Sequence, residues 1–184
     1  MLIRSVNVGR PRELAVGEGT VSSGIVKEPV RGRVAVGLTN LAGDGQADLT
    51  VHGGVDKAVY AYPVEHYAHW RTALRRDDLS PGHFGENLTT EGLLEEDVLV
   101  GDVLRVGSVL LEVSQPRVPC FKLAARMGDP AFAKPFLRSG RVGFYMRVLE
   151  QGRLGAGDAV TRERRGEGGL SIRAAAALLS DSSD

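Results

Sequence analysis

The sequence lacks several features that mark specialised classes of protein. A single cysteine among 184 residues excludes an intramolecular disulfide and fits a reducing compartment. Lys+Arg and Asp+Glu number 23 each, so no overall charge favours nucleic acid or an anionic membrane as a partner. No apolar run approaches the length that spans a bilayer, and residues 1–8 alternate like a strand rather than forming the core of a signal peptide. These absences predict a cytoplasmic protein that binds neither nucleic acid nor membrane.

Aromatic residues are also scarce, whereas glycine is abundant. Aromatics make up 5% of the chain and 24 residues are glycine, a balance typical of short strands joined by tight turns. The length suits one full hydrophobic core. Regular alternation of strands and helices is missing, which disfavours a doubly wound α/β fold. The composition therefore predicts a mainly β protein with a few inserted helices.

The hydrophobic pattern and its turn residues place these elements along the chain. Helices are predicted at 64–74 after Pro63, at 121–127 before Gly128, at 129–137, and at 172–179 with Ser171 as its cap. Strands are predicted at 1–8, 20–27, 33–36, 46–51, 58–62, within 85–92, within 99–113, at 142–149 and after 157–158. The charged, glycine-rich residues 162–169 have the composition of a linker. The chain is thus divided into a domain over residues 1–162 and a linker with a final helix over 163–184.

The one cysteine lies in a segment, QPRVPCFK, at residues 115–122. Its two prolines restrict the backbone, so Cys120 is delivered at the end of a stiff arm and the start of a predicted helix. Arg117 and Lys122 flank it, and both charges together with a helix N-terminus favour the thiolate. A buried structural cysteine that acts as a small hydrophobe is the alternative. The segment alone leaves both open.

A second polar segment, HGGVDK, occupies residues 52–57 directly after a predicted strand. Gly53 and Gly54 permit a close backbone approach to a ligand and offer N–H groups to an anion. His52 and Lys57 flank that turn as candidate site residues, although a buried histidine and a surface lysine fit the pattern equally well. Asn87 is another candidate for ligand binding, but in isolation its side chain is expected to stabilise its own turn.

His66 and His69 are three residues apart on the helix predicted at 64–74. No third ligand accompanies them at a suitable spacing, so zinc is not expected, and a partly exposed pair is predicted.

Several segments together resemble the MOSC-domain family (molybdenum cofactor sulfurase C-terminal domain), specifically its YiiM-like branch. The resemblance extends over roughly residues 1–160 and rests on the segments at 23–30, 48–59, 85–88, 101–102, 115–120 and 157–158. It implies a MOSC-type β-barrel core over residues 1–162, followed here by a short C-terminal helix.

The resemblance also implies a mononuclear molybdenum site with a pterin cofactor. Cys120 matches the family's cysteine and would ligate molybdenum as a soft thiolate. The family's pocket residues fall on Lys27, His52, Lys57, Asn87, Gln115 and Arg117. Lysine and arginine suit the cofactor's phosphate, whereas the N–H groups of Gly53 and Gly54 and the Asn87 and Gln115 side chains suit its ring.

Relatives with this domain reduce N-hydroxylated compounds such as hydroxylamino-purines by two-electron N–O cleavage, and the resemblance implies the same activity here. The cofactor would carry the redox step, with His52 and Lys57 as candidate proton donors. Because the sequence has no iron–sulfur or flavin motif, a separate electron-donor protein is expected.

Two other functions use the same cysteine. Cys120 could carry a persulfide for metal–sulfur or cofactor assembly, or the chain could store a cofactor without catalysis. A persulfide carrier needs an exposed thiol, whereas a cofactor enzyme needs a pocket in which Lys27, His52 and Arg117 converge. The sequence leaves a monomer and a homodimer equally open.

Overall fold

The computed structural model describes residues 1–47 and 53–181. His52 and most of the strand predicted at 46–51 lie outside the described residues. The strands are β1 (Leu2–Val8), β2 (Arg12–Val16), β3 (Gly19–Ser23), β4 (Glu28–Pro29), β5 (Arg33–Val36), β6 (Val59–Pro63), β7 (Leu88–Glu91), β8 (Val103–Val106), β9 (Val109–Pro116), β10 (Phe144–Glu150), β11 (Gly152–Gly155) and β12 (Val160–Arg164). The helices are α1 (Glu65–Leu74), α2 (Phe121–Met127), α3 (Ala133–Arg138) and α4 (Ile172–Asp181), with one 3₁₀ turn at Val55–Lys57.

Eight strands form the principal sheet, in the order β12-β8-β9-β10-β6-β7-β1-β4. Its pairs are antiparallel except for β6 with β7, and β2–β3 and β5–β11 form two small antiparallel sheets. The prediction of a mainly β protein with inserted helices is confirmed, although β2, β4 and β11 were not predicted and β3 ends at Ser23.

The described strands do not close into a barrel, which the family resemblance had implied. β12 and β4 remain the two edges of the principal sheet. The ends of the sheet nevertheless approach each other, because an isolated bridge joins Leu2 to Ala159 and the Val160 N–H donates to the Met1 carbonyl at 3.0 Å. The sheet is therefore strongly curved, with contact but no continuous ladder between β1 and β12.

Alternation along the central strands separates two packed faces. On β6, Val59 and Ala61 join the aliphatic core, while Tyr60 and Tyr62 point to the opposite face and join an aromatic cluster. Side chains alternate in this way because successive residues of a strand face opposite sides. Helices cover the aromatic face with Tyr67, Trp70, Phe132 and Phe136. Tyr60 is thus placed on the helical side of the sheet.

Three of the four predicted helices are confirmed, and the start of the other is wrong. The Gly128 backbone, at a φ of 72°, ends α2, and the Ser171 hydroxyl accepts the Ala174 N–H at 3.1 Å as the expected cap of α4. α3 begins only at Ala133. The Asp129 carboxylate instead accepts the Ala131 N–H at 2.9 Å, so it stabilises a local turn before the helix.

The prediction that His66 is partly exposed is wrong. His66 is buried, and its Nε2 lies 2.6 Å from Glu95 Oε2, while His69 is exposed. The other Glu95 oxygen accepts the Gly143 N–H at 2.7 Å. Glu95 lies 29 residues from His66 in sequence, so the spacing of His66 and His69 could not predict this contact.

The charged segment predicted as a linker includes the end of β12 and packs through specific ion pairs. Arg162 and Arg165 approach the fully buried Asp102 carboxylate at 3.0 and 3.6 Å, and Ile172 of α4 joins the aliphatic core. The division of the chain at residue 162 stays a prediction. None of the helices within the described ranges is long and apolar enough to cross a membrane.

Candidate functional site

A pocket on the helical side of the sheet gathers most of the residues predicted for the site. Lys27, Lys57, Asn87, Arg117 and Cys120 all line it. Gln115, Gly53 and Gly54 are not among its described lining residues, and the Gly54 N–H donates to Gln46 Oε1 at 3.1 Å. His52 lies outside the described residues. Five side chains from distant parts of the sequence therefore converge on one cavity.

The cysteine lies at the junction between β9 and α2. Cys120 has an extended backbone (φ −129°, ψ 174°), and its carbonyl accepts the Leu123 N–H at 3.0 Å. Its free thiol is half-buried and lines the pocket, whereas the neighbouring Val118 and Phe121 are 54% and 52% exposed. The stiff proline segment thus directs the thiol inward while the residues on either side face solvent.

Arg117 is a buried cation beside that thiol. Its guanidinium is held by an Nη1 donation to the Phe84 carbonyl at 2.9 Å and by stacking 5.1 Å from the Tyr60 ring centroid. Burial acts to lower the pKa of Arg117, but the nearby Tyr60, Tyr145 and Cys120 groups outweigh it and the pKa is raised. Within residues 1–47 and 53–181 no carboxylate pairs with this guanidinium. A thiolate or an anionic ligand would supply the missing negative charge.

Two tyrosines of adjacent strands lie next to Arg117. Tyr145 of β10 pairs in register with Tyr60 of β6 and with Gln115 of β9, and the two tyrosine rings are 5.2 Å apart. Directly paired residues of a sheet project to the same face, so the three side chains lie on one side of the sheet, where the two tyrosines line the pocket. Burial raises the pKa of both tyrosines, which keeps the hydroxyls protonated at neutral pH.

The opposite wall of the pocket is built on a buried ion pair. Lys27 pairs with Asp44, whose other oxygen accepts the Asn87 amide at 2.8 Å. Burial lowers the pKa of Lys27, although Asp44 acts against this change. The side-chain oxygen of Asn87 (Oδ1) accepts the backbone N–H of Tyr60 at 3.0 Å. Both the oxygen and the nitrogen of the Asn87 side-chain amide are therefore already hydrogen-bonded.

Close contact between two loops places this wall. Gly85 has a φ of 83°, and a Cβ atom there would lie 2.7 Å from Ile25 Cγ1. Glycine is needed both for this backbone conformation and for the approach of the segment that carries Lys27. The contact brings Lys27 and Asn87 to one side of the cavity.

Sequence reasoning missed Asp44, Tyr60 and Tyr145 as pocket residues. The Gly43-Asp44-Gly45 sequence by itself predicts only a turn, and its further signal is a carboxylate between two glycines in a chain with a predicted site lysine. The tyrosines were assigned only to strands. Their signal is the alternation of hydroxyl-bearing aromatics with buried apolar residues on strands next to the polar segments.

The fold and the pocket define a class of protein: a mainly β domain with a cationic cavity that holds a half-buried thiol. The chain belongs to the MOSC-domain family, whose model matches residues 48–161, and is YiiM-like. MOSC domains are associated with binding of the molybdenum cofactor. The resemblance inferred from sequence is confirmed at the level of the family.

Three comparisons describe this membership. YflK of Bacillus subtilis is 45% identical over 171 residues, which are 93% of this chain and 77% of YflK. A crystal structure of YiiM from Geobacillus stearothermophilus superposes with a TM-score of 0.81 and is 38% identical in sequence. The match covers 100% of this chain and 85% of the YiiM chain. A protein of Gibberella moniliformis named "Reductase" is 39% identical over 163 residues. The 163 matched residues make up 87% of this chain but only 29% of the Gibberella protein.

Proposed function

We propose that this protein is a reductase of N-hydroxylated compounds that holds a molybdenum–pterin cofactor in the pocket, with Cys120 as the thiolate ligand of the metal. The observation that carries the proposal is that Cys120 lines the same pocket as Arg117, a buried guanidinium that has no carboxylate partner in the described part of the chain. A buried cation of this kind favours an anionic occupant.

The donor set fits the proposed group. A thiolate is a soft ligand that suits molybdenum, and the metal selects its deprotonated form. The cofactor's phosphate and dithiolene are anionic, and Arg117, Lys57 and Lys122 line the same pocket. Lys27 is already neutralised by Asp44, so we assign it and Asn87 to the shape of the wall more than to the charge of the site.

When bound, this cofactor supplies the two electrons that cleave an N–O bond. The chain's own residues anchor it through Cys120, orient its anionic groups through Arg117, and restrict water around the reacting bond. Lys57 and His52 remain candidate proton donors. With a single cysteine the chain cannot hold an iron–sulfur cluster by itself, so a separate protein would return the electrons.

A sulfur carrier is the second candidate, and it makes the opposite demand on Cys120. A persulfide must reach another protein, which favours an exposed thiol. The half-buried position of Cys120 inside a cationic pocket supports the cofactor site instead.

The test begins with protein produced in cells that make the cofactor. We expect near-stoichiometric molybdenum, lost in Cys120→Ala and in Cys120→Ser, because a hydroxyl is a poor ligand for a soft metal site. Val118→Ala changes an exposed neighbour and should retain the metal. With an artificial reductant, the loaded protein should convert an N-hydroxylated purine to its amine.

Two results would change the proposed function or the role of Cys120 in it. Molybdenum-free protein that takes up persulfide sulfur at Cys120 favours the sulfur carrier. Full retention of molybdenum in Cys120→Ala contradicts Cys120 as the ligand.

A further inference from the structure

The hydroxyl of Tyr145 is a polar group of the pocket wall that the proposed function does not use. Tyr145 lines the pocket, is half-buried, and interacts electrostatically with both Arg117 and Cys120. Within residues 1–47 and 53–181, its hydroxyl has no hydrogen-bond partner, whereas its ring packs against Tyr60. A donor left unbonded beside a cavity is available to a ligand.

The neighbouring tyrosine shows the contrast. The Tyr60 hydroxyl donates to the Val142 carbonyl at 2.7 Å and lies 3.4 Å from Arg117 Nη1. It is therefore committed to the protein and supports the position of Arg117. Both rings lie on the same face of paired strands, yet only the Tyr145 hydroxyl remains for an occupant of the pocket.

We propose that Tyr145 is a catalytic residue of the reductase described above, a role that rests on the proposed function, and that its hydroxyl donates a hydrogen bond and then a proton to the oxygen of the N–O bond. This side chain lines the same cavity as Cys120, where the metal would lie, so a substrate bound in that cavity would be within reach of the hydroxyl. The assignment adds a proton donor to His52 and Lys57.

The proton balance of the reaction defines what Tyr145 does. Reduction of a hydroxylamine takes up two electrons and two protons, breaks the N–O bond, and gives an amine and water. The electrons come from the bound cofactor and, through it, from the separate donor protein. One proton goes from Tyr145 to the departing oxygen and one goes from solvent to nitrogen. Solvent then reprotonates the tyrosinate.

The charge around Tyr145 suits a proton donor. A phenol is protonated at neutral pH, so the hydroxyl carries its proton before the reaction. The Arg117 guanidinium stabilises the phenolate as it forms. An oxygen that leaves as hydroxide is basic enough to take a proton from a phenol.

The first experiment tests whether the Tyr145 hydroxyl is unbonded, and it measures stability rather than enzyme activity. Thermal unfolding is compared for Tyr145→Phe and the matched control Tyr62→Phe, whose hydroxyl donates to the Arg141 carbonyl at 3.1 Å and accepts from Trp70 at 2.7 Å. We expect the Tm to fall by about 3–6 °C in the control and by less than about 1 °C in Tyr145→Phe. Equal losses would show that the Tyr145 hydroxyl is bonded internally and would overturn the proposal.

The second experiment uses molybdenum-loaded protein and an N-hydroxylated purine with an artificial reductant. We expect Tyr145→Phe to keep its molybdenum and its KM within about threefold, while kcat falls by roughly 10²- to 10³-fold. Tyr62→Phe lies outside the pocket and should keep kcat within about twofold.

The outcomes separate the two proposals. An active wild type with an equally active Tyr145→Phe overturns the role of Tyr145 alone. A molybdenum-loaded wild type that reduces no N-hydroxylated compound overturns the proposed function, and the role of Tyr145 with it.

Discussion

Lys27 and Asp44 form an ion pair whose side chains are only 8% and 4% exposed. The same carboxylate also accepts the Gly9 N–H at 2.9 Å and the Asn87 amide at 2.8 Å. Asp44 therefore joins segments from three distant parts of the sequence along one wall of the pocket. Its contribution to the protein is as much to structure as to the electrostatics of the site.

Asp44→Ala should destabilise the protein by about 3–5 kcal/mol, because it leaves a buried lysine and two buried N–H donors without their acceptor. Lys27→Met should cost less, since Asp44 keeps two of its donors and the lysine chain is replaced by a similar apolar volume. Urea unfolding of both variants measures the difference. A larger loss in Lys27→Met would contradict this account of the wall.

Arg117→Met should separate stability from cofactor binding. The substitution removes a buried charge that has no carboxylate partner in the described chain, and this gain offsets the two hydrogen bonds lost. We expect the free energy of unfolding to change by less than about 1 kcal/mol. Molybdenum content should nevertheless fall about tenfold or more, because an anionic group would lose its buried cation.

Arg117→Lys is the control for charge in this comparison. It keeps the positive charge but lacks the planar fork that stacks on Tyr60 and reaches Phe84, so intermediate molybdenum content is expected. Elemental analysis checks both variants. Full molybdenum content in Arg117→Met would show that the cation does not hold the cofactor.

His83 should make the stability of the protein depend on pH. Burial, reinforced by Arg126 and Arg76, lowers the pKa of His83 from 6.5 to about 4, and the Asp78 carboxylate only partly opposes this change. The unfolded chain then binds a proton at a higher pH than the folded protein does. The contribution of neutral His83 is therefore complete above pH 6.5 and is lost as the pH falls through about 4.

His83→Gln removes this titration while leaving an uncharged polar side chain. Urea unfolding of the wild type and the variant at a pH of about 7, 5 and 4 should show a difference that shifts in favour of the variant as the pH falls. The buried Glu86 carboxyl, whose pKa burial raises, titrates with the opposite sign in both proteins and cancels in the comparison. A constant difference at all three pH values would show that His83 does not titrate as proposed.

Local patterns predicted the helical elements better than the closure of the sheet. The extent of α1 follows from its apolar spacing and Pro63, and the end of α2 follows from Gly128. Whether a curved sheet closes depends on pairing between its first and last strands, and nothing in the pattern of either strand records that relationship. The barrel expected from the family resemblance therefore needed the structure to test it.

The residues of the site also differ in how far the sequence could predict them. Arg117 and Cys120 are near neighbours in sequence, so a cation close to the thiol was expected before any fold was known. Lys27 and Asn87 were candidates through the family resemblance, and the structure shows that they share Asp44 as partner. Tyr145 emerged only from its register opposite Tyr60, because a tyrosine in a strand has no sequence signal that distinguishes a free hydroxyl from a bonded one.

The contact between Leu2 and Ala159 also bears on how the chain reaches its fold. Most strands of the principal sheet lie between Leu2 and Ala159 in the sequence. The Val160 N–H nevertheless donates to the Met1 carbonyl. Such a contact forms only after a very long loop has closed, which costs chain entropy before any local gain repays it. The joining of the first strand to the last is therefore expected late in folding, and a nascent chain must keep the end of one β1 edge, at residues 1–3, unpaired until synthesis is nearly complete.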